Sequence, residues 1–336
     1  MTQANISVGE DAVSGAFGVG MDYFMANEEE QKRIAANNTT LQKEEWETLS
    51  ETMISEYRRT IRGFEHLMDA GLTRQLSLAT KVDLWQTRSS FSEAEVSMDG
   101  ESRSDEDRIT YDFQGVPIPI VHKDFRISDR DLQSSRNLGN DLQTDSVAEA
   151  THEVTETLDD MLFTGWSPTV RDANNNSFTL YGYTDHPDRI QFTADGDWDT
   201  DATAVRDDFV GFFDELDDNE REGPFWVYLN PRDWRRYRSA VDEEGDGNRT
   251  MRARIEEEFD QELDNVWRMP RLNEGEAVVV DPSPDVVELA VAEDVQLIEW
   301  QSGSGMTHQF KAMGAMAPEI KADTEGQSGV VHVTGL

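Results

Sequence analysis

Cysteine is absent from the 336 residues. That excludes disulfides, thiolate metal ligands and a cysteine nucleophile. Lysine is scarce, found only at positions 32, 43, 81, 123, 311 and 321; the other basic residues, of 30, are Arg. No apolar run approaches the roughly 20 residues that a membrane-spanning helix needs. Met1 to Asp22 has no basic stretch followed by an apolar core, so a secretory signal is not expected and the reading is a soluble protein made in the cytoplasm. Recognisable catalytic patterns are missing too. The His residues at 66, 122, 152, 186, 308 and 332 are isolated, and none has the two-His helical spacing of a zinc hydrolase. Neither Ser304 nor Ser328 sits in a G-x-S-x-G elbow. The Gly15–Gly20 run has no strand before it and the wrong order for a dinucleotide site. The expectation is a non-enzyme without a cofactor.

Negative charge is what the chain has in excess. Asp and Glu number 69 and the net charge is −39. The acids are spread along the whole chain, whereas a disordered interaction tail would gather them at one end. At 1 M salt the Debye length is about 3 Å, so a dense negative surface is tolerated there and repels itself in dilute buffer. Acid everywhere with Lys depleted therefore reads as adaptation to concentrated salt. The competing reading is a cation binder. Asp242-x-Glu244-x-Asp246-Gly247 opens like a calcium loop, but Ala253 stands where a bidentate Glu is required. Asp195-x-Asp197-x-Asp199 fails in the same way at Arg206. Only weak surface cations remain. Arg58, Arg59, Arg62, Arg88 and the Arg232–Arg238 group are local basic clusters. The first is a candidate DNA contact, but pairing with the abundant carboxylates is the stronger reading.

The clearest local signal lies between Gly115 and Gly165. Val116 to Val121 is extended and Pro-flanked. A polar turn follows, then a helix with a start, a stripe and a stop. Thr144 can cap it and Asp145 suits the positive end of its dipole. Val147, Ala150, Val154, Leu158, Met161 and Leu162 share one face. Gly165 fits the C′ position. About 20 residues at 1.5 Å each give a spine roughly 30 Å long.

Residues 1–40 read as an arm. Residues 41–70 read as helical through Leu41, Trp46, Leu49, Met53, Tyr57, Ile61, Phe64, Leu67 and Met68. The stretch 72–84 has no clear assignment. Ala94, Val96 and Met98 alternate with polar residues, as do Ile109, Tyr111 and Phe113 across a charged loop. This predicts a long hairpin with one apolar edge. A two-stranded ribbon is marginal in water, so that edge must rest on the protein's own core or on a neighbouring subunit. Residues 167–201 read as loop-rich. A short helix follows through Val205, Phe209, Phe212, Phe213 and Leu216. Then come a buried strand at 225–229, a helix opened by Pro231, a charged helix near 250–259, and strands at 277–280, 286–291, 295–300, 308–313 and 330–333. Helices and strands in blocks make an α+β chain.

The order of these blocks resembles that of the tailed-virus major capsid proteins of the Hong Kong-97-type fold, which encapsulin shell proteins share. Local matches are Phe125–Leu132, Gly139, the helix ending Asp159–Gly165, Val227–Pro231 with Tyr237, Ala277–Pro282, Ala292–Gln296 and Phe310–Ile320. The resemblance implies an N-terminal arm (1–40), a helical part of a peripheral domain (41–87) and an extended loop lying on an adjacent subunit (88–115). It also implies the peripheral domain with its spine helix (116–200), an apical domain (201–300) and closing peripheral strands (301–336). Ala94, Val96, Met98, Ile109, Tyr111 and Phe113 would form the subunit interface. Val147, Val154, Leu158 and Met161 would pack the spine. The implied partners are copies of itself, as hexamers and pentamers of an icosahedral shell, and packaged double-stranded DNA held without sequence specificity. Portal, scaffold or decoration proteins are further expected partners, with no membrane, and the virion is the expected location. No Lys lies between Lys81 and Lys123, so the loop carries no donor for the covalent cross-link of some relatives. The leading expectation is the capsid of a virus infecting a halophilic archaeon. An encapsulin compartment is the first alternative and a halophilic enzyme with an unrecognised site the second.

Overall fold

The computed structural model describes residues 43–89, 96, 98, 108–128, 130–131, 134, 144–171, 175–194, 196, 198, 202–239, 250–301, 307–322 and 326–336. In chain order the elements are α1 (Lys43–Thr60), α2 (Gly63–Asp69), β1 (Thr73–Gln75), β2 (Val82–Arg88), β3 (Tyr111–Pro117), β4 (Val121–Ser128) and α3 (Asp145–Thr164). They continue with β5 (Trp166–Arg171), β6 (Ser177–Leu180), β7 (Ile190–Thr193), α4 (Ala202–Asp217), β8 (Phe225–Leu229), α5 (Pro231–Ser239) and α6 (Met251–Glu258). The chain closes with β9 (Leu263–Arg268), β10 (Glu276–Val280), β11 (Val287–Gln301), β12 (Thr307–Ile320) and β13 (Val330–Thr334). The expected arm, Ala94, Gly139 and the acidic loops at 195–199 and 242–246 lie outside the described residues, apart from the isolated positions 196 and 198.

Two compact units are interleaved along the chain. The first takes its described residues from 43–60, 121–156 and 295–314. Here β4 pairs antiparallel with the start of β12, from Thr307 opposite Ser128 to Gly314 opposite Val121. That register sets Phe310 against Phe125, and the rings stack at 5.0 Å. Trp46 of α1 meets Phe310 edge-on at 6.3 Å. Leu49, Ile127 and Val147 complete this small core.

The second unit draws on 61–120, 157–294 and 315–336. Its main sheet has the order β7-β13-β10-β8-β9. All five residues of β8 are buried, and strand alternation explains how. Phe225, Val227 and Leu229 face a core shared with Phe209, Phe212, Phe213 and Leu216 of α4. The intervening Tyr228 stacks on Trp267 and meets Phe163 edge-on. A strand covered on both faces reads as an uninterrupted apolar run, as this one does.

Several expectations need correction. The helix expected over 41–70 is broken at Ile61–Arg62 into α1 and α2. The loop-rich region 167–201 contains β5, β6 and β7. β5 and β6 form a separate pair with a register shift between Trp166 and Val170; the side chains of β5 are largely exposed and left little apolar alternation to read, while β6 alternates over only four residues. Strands expected at 286–291 and 295–300 are one strand, β11. The boundaries 116–200, 201–300 and 301–336 do not separate the sheets, because β13 pairs with both β10 and β7.

Candidate subunit interface

Among the described residues the ribbon is built from β2 and β3; of the expected strand 93–98 only Val96 and Met98 lie within them. Tyr111 pairs with Arg88, Phe113 with Gln86, Gly115 with Leu84 and Val116 with Asp83. The expected partner of Tyr111 and Phe113 is thus corrected to β2, while most of 93–98 lies outside the described residues. Val96 and Met98 carry no strand assignment and are fully exposed, and Ile109 is half-buried just before β3.

Side chains alternate across a ribbon, so the register defines two faces. Leu84, Phe113 and Tyr111 fall on one face and are 51 %, 62 % and 62 % exposed. Asp83 and Thr87 fall on the other and are buried. Part of the polarity is inverted relative to an ordinary half-buried strand: Asp83 goes in beside Val116, and Leu84, Phe113 and Tyr111 stay out. Phe113 also lines a cleft of about 280 Å3 with Trp85, Phe178, Tyr181, His186 and Pro318. Gly115 lets the ribbon's root press against β6. A Cβ there would come within 2.5 Å of Leu84 Cδ2, 2.7 Å of the Asp83 carbonyl oxygen and 3.0 Å of Phe178 Cε1.

On the inner face Asp83 meets Arg74 of β1 and Glu319 of β12. Arg74 Nη2 donates to Asp83 and to both oxygens of Glu319, at 2.5 and 2.7 Å for the latter. Glu319 is fully buried. Burial pushes its carboxyl up to about 8, and its hydrogen bond with Asp83 adds to this, while Arg74 pulls it down.

The spine helix α3 has the expected 20 residues. Val147, Ala150 and Val154 are buried in its first part, and Leu158, Met161 and Leu162 in its second. Thr144 accepts from the N–H groups of Val147 and Ala148 through its carbonyl. Gly165 ends the helix at φ +68°, with its N–H donating to the Met161 carbonyl. One functional group on this helix went unrecognised. Asp159 accepts from the backbone N–H groups of Arg62, Gly63 and Phe64 at 2.9, 3.1 and 3.3 Å. A carboxylate of the spine thereby caps α2, a helix with no cap in its own sequence. Burial raises Asp159 to about 6 despite these three donors. His66 of α2 stacks on Trp267 at 3.9 Å, and burial lowers it to about 4.

Among the described residues no group of three or more His, Asp or Glu is placed to hold a metal ion, and no helix is long and apolar enough to cross a membrane. What the arrangement offers is an apolar ribbon face set on a root fixed from within.

Comparison with known proteins gives this geometry a context. The chain is 25 % identical over 284 residues to the type 1 encapsulin shell protein EncA of Myxococcus xanthus, covering 84 % of this chain and 90 % of that protein. A virus-like particle from Pyrococcus furiosus matches with a TM-score of 0.60 at 14 % identity, over 85 % of this chain and 98 % of that one. The capsid of the Myoviridae phage XM1 matches with a TM-score of 0.61 at 8 % identity, over 80 % and 91 %. The fold is α+β of the Hong Kong-97 capsid type. Residues 34–333 match the family of unknown function DUF6260, and the chain belongs to that family.

Proposed function

We propose that this chain is a self-assembling shell protein that lays the Leu84–Phe113–Tyr111 face of its ribbon on a neighbouring copy. The exposed apolar face on a two-stranded ribbon carries the reading. The chain itself covers one face of the ribbon; the opposite face lacks a layer, and a second copy supplies it. Repeated from chain to chain, a heterologous contact of this kind closes into rings, here the hexamers and pentamers of an icosahedral shell. The cargo we favour is double-stranded DNA, which makes the chain a salt-adapted major capsid protein of a tailed virus with a halophilic archaeal host. The net charge of −39 supports the salt adaptation. The similarity to an encapsulin shell protein over nine-tenths of its length supports the second reading, a compartment around a cargo protein.

Particles purified in concentrated salt and viewed by negative stain test the shell reading. A small oligomer in place of megadalton particles overturns it. Nuclease-protected double-stranded DNA inside favours the capsid; a co-purifying internal protein favours the compartment. Dialysis to low salt should dissociate or unfold the particle, because a Debye length of about 30 Å at 0.01 M leaves the surface charge unscreened. Intact particles in salt-free buffer remove the argument for salt adaptation.

A further inference from the structure

Two carboxyls and one guanidinium meet at the start of β2, the ribbon's first strand. Asp83 belongs to the ribbon, Arg74 to the neighbouring short strand β1, and Glu319 to the end of β12. Asp83 Oδ1 also accepts from the N–H of Leu84, so its carboxylate is tied to the ribbon's own backbone. Both carboxyls are buried, Glu319 completely. One Arg cannot neutralise two buried carboxylates, and like charges at hydrogen-bond distance disfavour double ionisation. A proton shared between them resolves the conflict. Among the described residues Arg74 is the cation that acts on the pair. Glu288 of β11 adds a further negative charge near Arg74. The nearby ammonium, Lys321, is engaged by Glu288 and by the Pro284 carbonyl at 2.8 Å. A further Arg74 donor, Nε, finds no acceptor among the described residues.

We propose that Arg74, Asp83 and Glu319 form a proton-operated latch: the proton bridging the two carboxyls holds the ribbon's root against its unit, and its loss to solvent frees the ribbon to swing. The proposal rests on the ribbon being the assembly surface. It adds the means by which the direction of that surface is set. With the proton in place the cluster is neutral overall. Without it, an unpaired negative charge is buried, and the cheapest relief is to carry Asp83 out to water with the strand that bears it. The high proton affinity of Glu319 puts the change near pH 8.

Because the chain has no Cys, a single Gln86→Cys substitution places one nitroxide label on the ribbon, three positions from Asp83. Its mobility is read by electron paramagnetic resonance between about pH 6.5 and about 9.5, with particle size followed by light scattering in the same samples. The expected result is a one-proton rise in mobility with a midpoint near 8. In Glu319→Gln, which keeps a neutral donor at all pH values, the rise should vanish. In Asp83→Asn a deprotonated Glu319 is paired by Arg74 alone, no charge is left unpaired, and the rise should vanish as well. A flat wild-type profile overturns the latch, and so does a rise that persists in Glu319→Gln. If Glu319→Gln does not fold, the wild-type profile and the loss of the rise in Asp83→Asn still decide. Latch and shell are separable. A subunit that never forms particles still reports the titration, and particles with an immobile ribbon leave the shell reading standing.

Discussion

The spine helix and the ribbon are both amphipathic, and they resolve their apolar faces in opposite ways. Leu158 and Met161 of the helix are covered by the chain's own residues, whereas Leu84, Tyr111 and Phe113 of the ribbon are more than half exposed. A helix satisfies its backbone internally and needs a partner only for its stripe. A two-stranded ribbon lacks cover for its face as well as partners for its outer backbone edges. The difference teaches which face belongs to folding and which to assembly.

Substitution separates the two. Replacing both Tyr111 and Phe113 by Asp should abolish particles while leaving a folded subunit with nearly unchanged Tm, checked by light scattering and calorimetry. Unfolding of that variant would return the ribbon to the chain's own core. Leu158→Ala should do the reverse, lowering stability by about 2–5 kcal/mol because a fully buried Leu leaves a cavity. Denaturant titration of the unassembled subunit reads it. Asp159→Ala should cost about 1–3 kcal/mol by orphaning three N–H groups, two of them buried, with the loss of amide protection centred on residues 62–69.

The smallest effect is a slope. His66 is held near 4 in the folded chain against about 6.5 unfolded. Its proton is taken up by the unfolded chain first, so its contribution is complete above the unfolded value and is lost as pH falls from about 6.5 to about 4. His66→Phe should flatten the dependence of Tm on pH in that window relative to wild type. Equal slopes would mean that the ring is not shielded as its stack on Trp267 implies.

The spine could be read from sequence because its stripe, its capping position and Gly165 are all local. β8 could be read because both of its faces are apolar. The ribbon's register could not. The alternation at Ala94, Val96 and Met98 looked like a strand, while the true partner, β2, buries Asp83 and exposes Leu84 against the usual pattern. Nothing local marks the reason, since Arg74 and Glu319 are 245 residues apart. Asp159 was visible only as one acid among many on a charged helix; its role depends on N–H groups 95 to 97 positions earlier. β5 was missed because a strand with largely exposed side chains carries little hydrophobic rhythm, and β6 and β7 because four residues each are too short a run for their alternation to stand out.

That borrowed cap has a consequence for the order of events on the ribosome. A seven-residue helix is far below the length that holds itself together in water, and α2 emerges nearly a hundred residues ahead of the carboxylate that closes its first turn. The early part of the nascent chain must therefore wait, its first turn unsealed, until the spine has been made. The helix that looks like a late structural brace is the element that licenses the beginning of its own unit to fold.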